Sequence, residues 1–489
     1  MNHITCGLLT AGLCTPLLAA DIPRAPVPKS PYLPVVYRYA DTLLDHGRDT
    51  SGPRITGLFL SALDRATLKP LTHRPPSPGG VREGDRAGAP SGPLTGANLQ
   101  HDQNLLRLME VLSGLSGESK YRDAAHSSIA WFLNHTASAE TSLLPWGEHL
   151  SWDTAEDRPV SSGNDSLHEF FRPWMLWDQC FELAPDASRR FALGLWEHQV
   201  ADRHTGAFDR HARFDRPETW QGRDFPRHAG FYIRTWAVAH ARTGDETFQE
   251  AIEVLLRRFE NKRNPQTGWI ESTEGATTVW PPSNLSLAID CYGASLRVPE
   301  PLATRLRSFA EREDAVFLAL PHDVGGGGRF AVVLQETAPE EAPERSVLWE
   351  SRYGSYTTAQ VGMMCVARYD NGGGRGYLEL IVSAAEGYLN RLPEEGKEVW
   401  PGTVGQAISL QLAAWRHTAR ASYLEHARVL ADWSLEHYWG GQPLPRAGLR
   451  VDHYESITGS DTLALALVEL HLQILAITAV RCPPNTLDR

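Results

Sequence analysis

The sequence predicts an all-α protein, an (α/α)6-7 toroid of helical hairpins with a small β-hairpin insertion. Three observations predict it. An apolar-periodic segment, a short Gly-containing turn and a second segment opening on an aromatic residue recur along the chain. The last such segment is apolar nearly all round, which fits a helix buried between two layers. The chain has 489 residues, 42% hydrophobic and 22% charged, enough to bury one large core and far from a disordered composition.

Residues 1–20 contain no acidic group and carry an apolar run from Ile4 to Leu18, ending in Ala19-Ala20 ahead of Asp21. This predicts a signal peptide, although its start offers only His3 and no Lys or Arg. Residues 21–100 form an N-terminal region: a proline-rich tether from Ile22 to Tyr32, a first helix over Val35–Leu44 and a long Pro/Gly/Arg/Ser loop from Thr72 to Gly96. Residues 101–489 make the toroid.

Within it, Leu105, Leu108, Leu112 and Leu115 share a helical face, Ser116-Gly117-Glu118 turns the chain, and Tyr121, Ala125, Ile129 and Phe132 line the return helix. Phe231–Arg242 and Phe248–Phe259 repeat the pattern across Thr243-Gly244-Asp245, where Gly allows the positive φ that stops the first helix. Thr357–Tyr369 with Tyr377–Leu389, and Gln406–Thr418 with Tyr423–Leu435, are further pairs. The closing helix spans Leu463–Ile477, capped by Ser460 or Asp461. Between Gly325 and Trp349, Phe330–Leu334 and Ser346–Trp349 read as a β-hairpin.

A net charge of −12 without a basic block argues against nucleic acid and anionic membranes as partners. No later apolar run reaches the roughly 18 residues of a membrane span. Cys180, Cys291, Cys365 and Cys482 show no metal or redox spacing and are expected to be mostly buried thiols.

In a toroid, functional groups collect in the longer loops around the inner helices. Those loops are rich in Trp, Arg and His. LLPWGEHLSWD, Leu143–Asp153, offers Trp146 and Trp152 for stacking on sugar faces, or as core aromatics. His149, Glu169 in SLHEFF and His211 in FDRHARFD are ligand-capable, yet among 19 histidines their spacing does not separate a metal triad from chance. Arg210, Arg227, His228, Tyr232 and Arg234 follow closely, as an anion-binding cluster or as solvated arginines. VWPGTVGQ brings Trp400 to a helix entry, and DHYESITGSD, with Tyr454 and Glu455, lies against the closing helix as a funnel lining or as simple capping by Thr458, Ser460 and Asp461.

The run LLPWGEHLSWD, then HEFF, then DRH before FYIRTWAVAHARTGDETF, resembles family 2 pectate lyases over roughly Asn104 to Trp269, with fainter echoes in VWPGTVGQ and HYESITGSDTLALAL. The resemblance implies an (α/α)7 toroid that cleaves pectate by metal-assisted β-elimination. It implies His149, Glu169 and His211 as ligands of a divalent metal and Arg210 as the Brønsted base. Two imidazoles and a carboxylate suit Mn foremost, or Co, Ni, Fe or Zn, over Ca. Arg172, Arg227 and Arg234 would clamp the flanking uronates. The expected partner is an acidic polysaccharide or oligosaccharide, and the expected location periplasmic or extracellular. Three features depart from the resemblance: the loop Pro75–Gly96, the insertion around Gly325, and Glu148, a second acid beside His149. Two alternatives remain at this level: a glycoside hydrolase using carboxylates such as Asp153, Asp290 or Glu455, and a non-catalytic saccharide-binding toroid.

Overall fold

Wherever the sequence places an apolar stripe, a turn and an aromatic, the computed structural model has an antiparallel helix pair; it describes residues 30–163, 166–218 and 220–485. The signal-peptide reading of residues 1–20 and most of the tether lie outside the described residues.

The helices are α1 (Tyr32–His46), α2 (Gln103–Ser116), α3 (Lys120–His135), α4 (Trp177–Leu183), α5 (Pro185–Gly194), α6 (Pro226–Thr243), α7 (Glu246–Asn261), α8 (Pro281–Ser295), α9 (Leu302–Leu318), the single turn α10 (Val324–Gly327), α11 (Thr358–Asp370), α12 (Arg375–Tyr388), α13 (Pro401–Thr418), α14 (Ala421–Ser434) and α15 (Ser460–Ile474). Six sequential hairpins pair α2 with α3, α4 with α5, α6 with α7, α8 with α9, α11 with α12, and α13 with α14. The seventh is made by the two ends of the chain, α15 against α1. The first members pack in succession, α4 on α6, α6 on α8, α8 on α11, α11 on α13, α13 on α15, and α15 returns to α2. Gln103 closes the remaining gap between α2 and α4, its Nε2 donating to Pro173 O at 3.0 Å. The result is a closed (α/α)7 toroid, the upper of the two sizes expected.

Burial follows the layers. In α13 and α15 nearly every residue is buried, because the inner ring has neighbours on all sides. Outer helices bury one stripe; α7 hides Phe248, Ala251, Ile252, Leu255, Leu256 and Phe259. The predicted stops at Gly117 and Gly244 are left-handed C-caps. Thr357 closes a full capping box with Gln360 at the start of α11.

Two local expectations change. The closing helix is capped by neither Ser460 nor Asp461, since Gly459 holds the cap position. Asp461 instead accepts the Leu105 N–H at 2.9 Å and so caps the neighbouring α2. The β-hairpin pairs Ala331–Gln335 with Glu344–Arg345, not with Ser346–Trp349. The Ser346 hydroxyl takes the Phe330 N–H and Val347 bridges Thr357, so the ladder ends there, while Thr278–Val279 adds a third strand. Cys180, Cys291 and Cys365 are buried free thiols, as expected.

Connectivity positions the site. Turns from inner to outer helices are short, whereas every return to an inner helix is long: 47–102, 136–176, 195–225, 262–280, 319–357, 389–400 and 435–459. All seven long segments therefore gather at one end of the ring and build a mouth of short strands and irregular chain over the inner helices.

Candidate functional site

Backbone register brings the site together. Leu167–His168 pairs antiparallel with Ala212–Arg213, with His168 opposite Ala212, so the next positions outward, Glu169 and His211, fall side by side. Gly147 bridges the same Glu169 backbone from the other side. It adopts φ +90°, and a Cβ there would sit 1.6 Å from Glu169 O, so only glycine lets the two chains approach this closely. Asn98 holds the bend by donating to Gly147 O at 2.8 Å and Leu150 O at 3.1 Å. His149 then enters the strand Leu150–Asp153 directed at Glu169.

Three donor atoms converge. His149 Nε2 lies 3.3 Å from His211 Nε2, and Glu169 Oε2 lies 3.1 Å from the first and 2.8 Å from the second. For a cation about 2.1 Å from each donor, neighbouring donors sit about 3.0 Å apart in an octahedral site and about 3.4 Å in a tetrahedral one. The spacings of 3.1 and 3.3 Å fall in that range and the 2.8 Å spacing just below it, and the donor chemistry of two imidazoles and a carboxylate fits a transition metal.

Glu169 is the hub. Its Oε1 is ion-paired with Arg210 Nη1 at 2.8 Å, and His228 Nε2 stands 3.3 Å away. Burial would raise this carboxyl, but Arg210 and the three imidazoles outweigh it and hold Glu169 well below the ordinary range. His228 is pushed down to about 3 by burial and stays neutral, its Nε2 3.2 Å from Phe170 O. Arg210 stacks over Phe225 at 4.8 Å. Burial pulls its proton affinity down, yet the Glu169 and Glu148 anions pull it up further, and the net direction is upward.

Glu148 faces the other way. Its Oε1 accepts the Tyr353 hydroxyl at 2.7 Å and is ion-paired to Arg82, while Oε2 stands 4.0 Å from Arg210. Burial, then the nearby Glu169 charge, raises Glu148. Asp85, Glu148 and His149 form a second group with metal-ligand spacing, but Arg82 already lies on both carboxylates, 2.6 Å from Asp85. We assign that group to the guanidinium.

The other predicted residues are dispersed. Trp146 and Trp152 are buried; the first packs among Phe170, Trp174 and Phe191, the second edge-on to Trp131 with its N–H on Asp157. Neither presents a face for sugar stacking. Tyr232 and Tyr454 are interior, the latter hydroxyl-to-hydroxyl with Tyr39 at 3.3 Å. Glu455 is held at both oxygens by Arg86 at 2.8 Å and is depressed to about 2, the Arg86 and His453 contacts outweighing burial. Arg172 is buried with Nη2 on Ile457 O at 3.3 Å, and Arg234 pairs with Asp290 at 3.5 Å. Arg227 stands half-buried on the first turn of α6, and Trp400 donates to Gly79 O at 2.8 Å.

Sequence reading singled out neither Arg82, Asp85 and Tyr353, nor Arg223, whose Nη1 lies 3.2 Å from His211 Nδ1. Arg82 and Tyr353 reach Glu148 across 66 and 205 residues, a span no local pattern signals.

Comparison with known proteins locates the similarity on this site. The family described as periplasmic pectate lyase matches residues 89–270, a stretch that includes His149, Glu169, Arg210 and His211. A pectate disaccharide-lyase of Dickeya dadantii (strain 3937) is 29% identical over 199 residues, 35% of this chain and 36% of that protein. The match thus spans about a third of the relative's length. Over this stretch the chain is family 2 pectate lyase-like. Among solved structures, a D-mannose isomerase aligns over 90% of this chain and 97% of its own, with TM-score 0.49 and 7% identity. An unsaturated glucuronyl hydrolase specific for heparin aligns over 78% and 98%, with TM-score 0.43 and 13% identity. The toroid assignment rests on the chain's own closed ring of hairpins.

Proposed function

We propose, from the premise that residues 89–270 are family 2 pectate lyase-like, that this protein is a polysaccharide lyase cleaving a uronate polymer of the pectate kind by metal-assisted β-elimination. The observation that carries the reading is the convergence of His149, Glu169 and His211 with Arg210 on the same carboxylate. His149, Glu169 and His211 would hold the divalent cation, manganese by preference. Such an ion supplies Lewis acidity that neutralises the uronate carboxylate and stabilises the negative charge developing at C5.

The protein's own groups do the rest. Arg210, in its neutral form, removes the C5 proton, the C5–H electron pair forms the C4–C5 double bond, and the C4–O4 bond breaks with O4 leaving on the departing chain and taking its proton from solvent. In the free protein Glu169 is the chief anion keeping that guanidinium charged, with burial acting the other way; a cation held by Glu169 would draw on the same carboxylate and weaken that hold. Turnover is therefore expected to rise with pH into the alkaline range. Neutral His228 orients Glu169, and Arg223 and Arg227 offer guanidinium groups to neighbouring uronates. The hydrolase alternative loses support because its carboxylates are committed: Asp153 to Thr95 and the following turn, Asp290 to Arg234, Glu455 to Arg86. Export to the periplasm or beyond is part of the reading. It is supported by the leader-like first twenty residues, the periplasmic description of the matched family, and the lack, among the described residues, of any helix long and apolar enough to cross a membrane.

The test is an ultraviolet assay for the unsaturated uronate product over a panel of polyuronates, with and without manganese after chelation. Product is expected only with added metal, and His211→Ala is expected to lose metal binding by calorimetry while keeping its circular dichroism spectrum. Full activity in a metal-free preparation would sink the mechanism.

A further inference from the structure

Arg210 is tethered to the triad at one point. Its Nη1 faces Glu169 Oε1 at 2.8 Å, yet neither that oxygen nor the buried Arg210 Nε has a hydrogen-bond partner of good geometry among the described residues. A Coulombic contact fixes a distance and leaves the guanidinium plane free to turn about it. The plane matters, because the lone pair that takes a proton lies within it and must point at the C5 hydrogen.

A stack of rings supplies what the ion pair lacks. Arg210 Cζ stands 4.8 Å from the Phe225 ring centroid, and Phe225 lies against the Trp280 indole with centroids 5.0 Å apart and planes 9° from parallel. A parallel indole covers one face of Phe225 and leaves the other for the guanidinium. Sequence places both rings. Phe225-Pro226 opens α6 and Trp280-Pro281 opens α8, and proline disfavours helical backbone in the residue before it. Phe225, at ψ 137°, and Trp280, at ψ 91°, are accordingly extended N-caps at the mouth ends of two inner helices. Those helices are locked together. The Arg227 N–H donates to Ser283 Oγ at 3.1 Å, and a Cβ on Gly230 would lie 3.1 Å from Leu287 Cα. Trp280 is half-buried, stands outside the stretch that matches the lyase family, and has Phe225 as its sole ring contact among the described residues.

We propose that Trp280 is a positioning residue for the base: by backing Phe225 it fixes the plane of the Arg210 guanidinium, on which it acts through that ring alone. This rests on the lyase reading, with Arg210 as base, and adds the residue that aims it.

The experiment compares Trp280→Ala, Trp280→Leu and Trp280→Phe with the native, manganese-loaded enzyme on polygalacturonate. Alanine and leucine are expected to lower kcat by roughly 10–100-fold with KM within about twofold, because a small misplacement of a reacting group costs about that much. Phenylalanine, which restores a flat ring behind Phe225, is expected to recover most of the loss. Melting temperature and manganese affinity by calorimetry are expected to stay at native values in all three. A readout independent of turnover is the Arg210 Nε–H resonance of protein labelled with ¹⁵N-arginine, identified by its loss in Arg210→Lys. The Phe225 ring current is expected to displace it in the native and Trp280→Phe proteins, and it is expected to move back towards the unstacked position in Trp280→Ala and Trp280→Leu. Native kcat in the alanine and leucine variants, a loss carried by KM, equal losses in all three variants, or an unmoved Arg210 resonance would overturn the proposal. Absence of unsaturated product from every polyuronate with the native enzyme would instead overturn the lyase reading, and the role of Trp280 in setting the Arg210 plane would then stand or fall on the resonance.

Discussion

Glu169 shows how one buried side chain organises a site. It offers one oxygen to two imidazoles and the other to a guanidinium, with a third imidazole beside the second oxygen, and no part of it reaches solvent. An isolated carboxylate in such a place would take up a proton; the surrounding cation and N–H groups keep it ionised. Arg210 is fixed by the same contact and by the Phe225 face. Lysine at this position has one compact ammonium in place of a planar fork, and it cannot keep both the carboxylate contact and the stack. Arg210→Lys is therefore expected to lower kcat by about 10²–10⁴, the range for a displaced general base, with KM changed far less. Steady-state kinetics on a polyuronate will check this, and a KM-dominated loss would move Arg210 from base to substrate clamp.

At the scale of elements, the loop of residues 78–88 joins sequence regions that carry no shared pattern. Arg86 and Glu455 are both essentially unexposed, 369 residues apart, and joined by two hydrogen bonds. Arg86→Met leaves a buried carboxylate with only His453 beside it, a loss on the order of 3 kcal/mol. The pH sign follows from Glu455, whose folded value of about 2 lies below the usual carboxylate value of about 4.3. The deficit should be full above that value and shrink as pH falls towards 2; urea unfolding at several pH values reads it directly.

The helix pairs, by contrast, were legible, because a helical stripe, a glycine stop and an aromatic are local signals, as in α2–α3 and α6–α7. The shorter α4–α5 pair was not, since Leu183, Ala184 and Pro185 leave almost no turn between its helices. In the site, the ordered His, Glu and Arg-His set was visible through its resemblance to a family. Arg82 and Tyr353 were not, because only the closed ring brings them to Glu148. Trp152, open on sequence alone as a sugar platform or a core aromatic, is buried; sequence shows an indole but not which way a strand residue points.

For the whole molecule, closure is the governing fact. Two buried imidazoles that are not part of the triad report on it through pH. Burial, and for His101 the Arg172 charge, lowers His101 to about 3; burial lowers His322 to about 4. The unfolded chain binds protons below about pH 6.5 while these folded sites do not. Stability from both is complete above that pH and falls by roughly 3 kcal/mol per unit between about pH 6 and 4, at about 1.4 kcal/mol per imidazole.

The ring itself depends on its two ends meeting. α1 buries Tyr32, Val36, Tyr39, Ala40 and Leu43 against the molecule, and Tyr39 lies edge-on to Trp439 and beside Tyr454. At about 2 kcal/mol for each large apolar side chain, this interface contributes on the order of 8 kcal/mol, as much as the whole stability of many domains. Without it the apolar face of α15 opens to water, and the inner helix that caps α2 through Asp461 loses its outer cover. Deleting residues 1–46 is thus expected to abolish the cooperative thermal transition rather than merely lower Tm, as read by calorimetry with a hydrophobic dye in parallel. A single sharp transition near the parental temperature would mean that six hairpins hold the ring without the seventh.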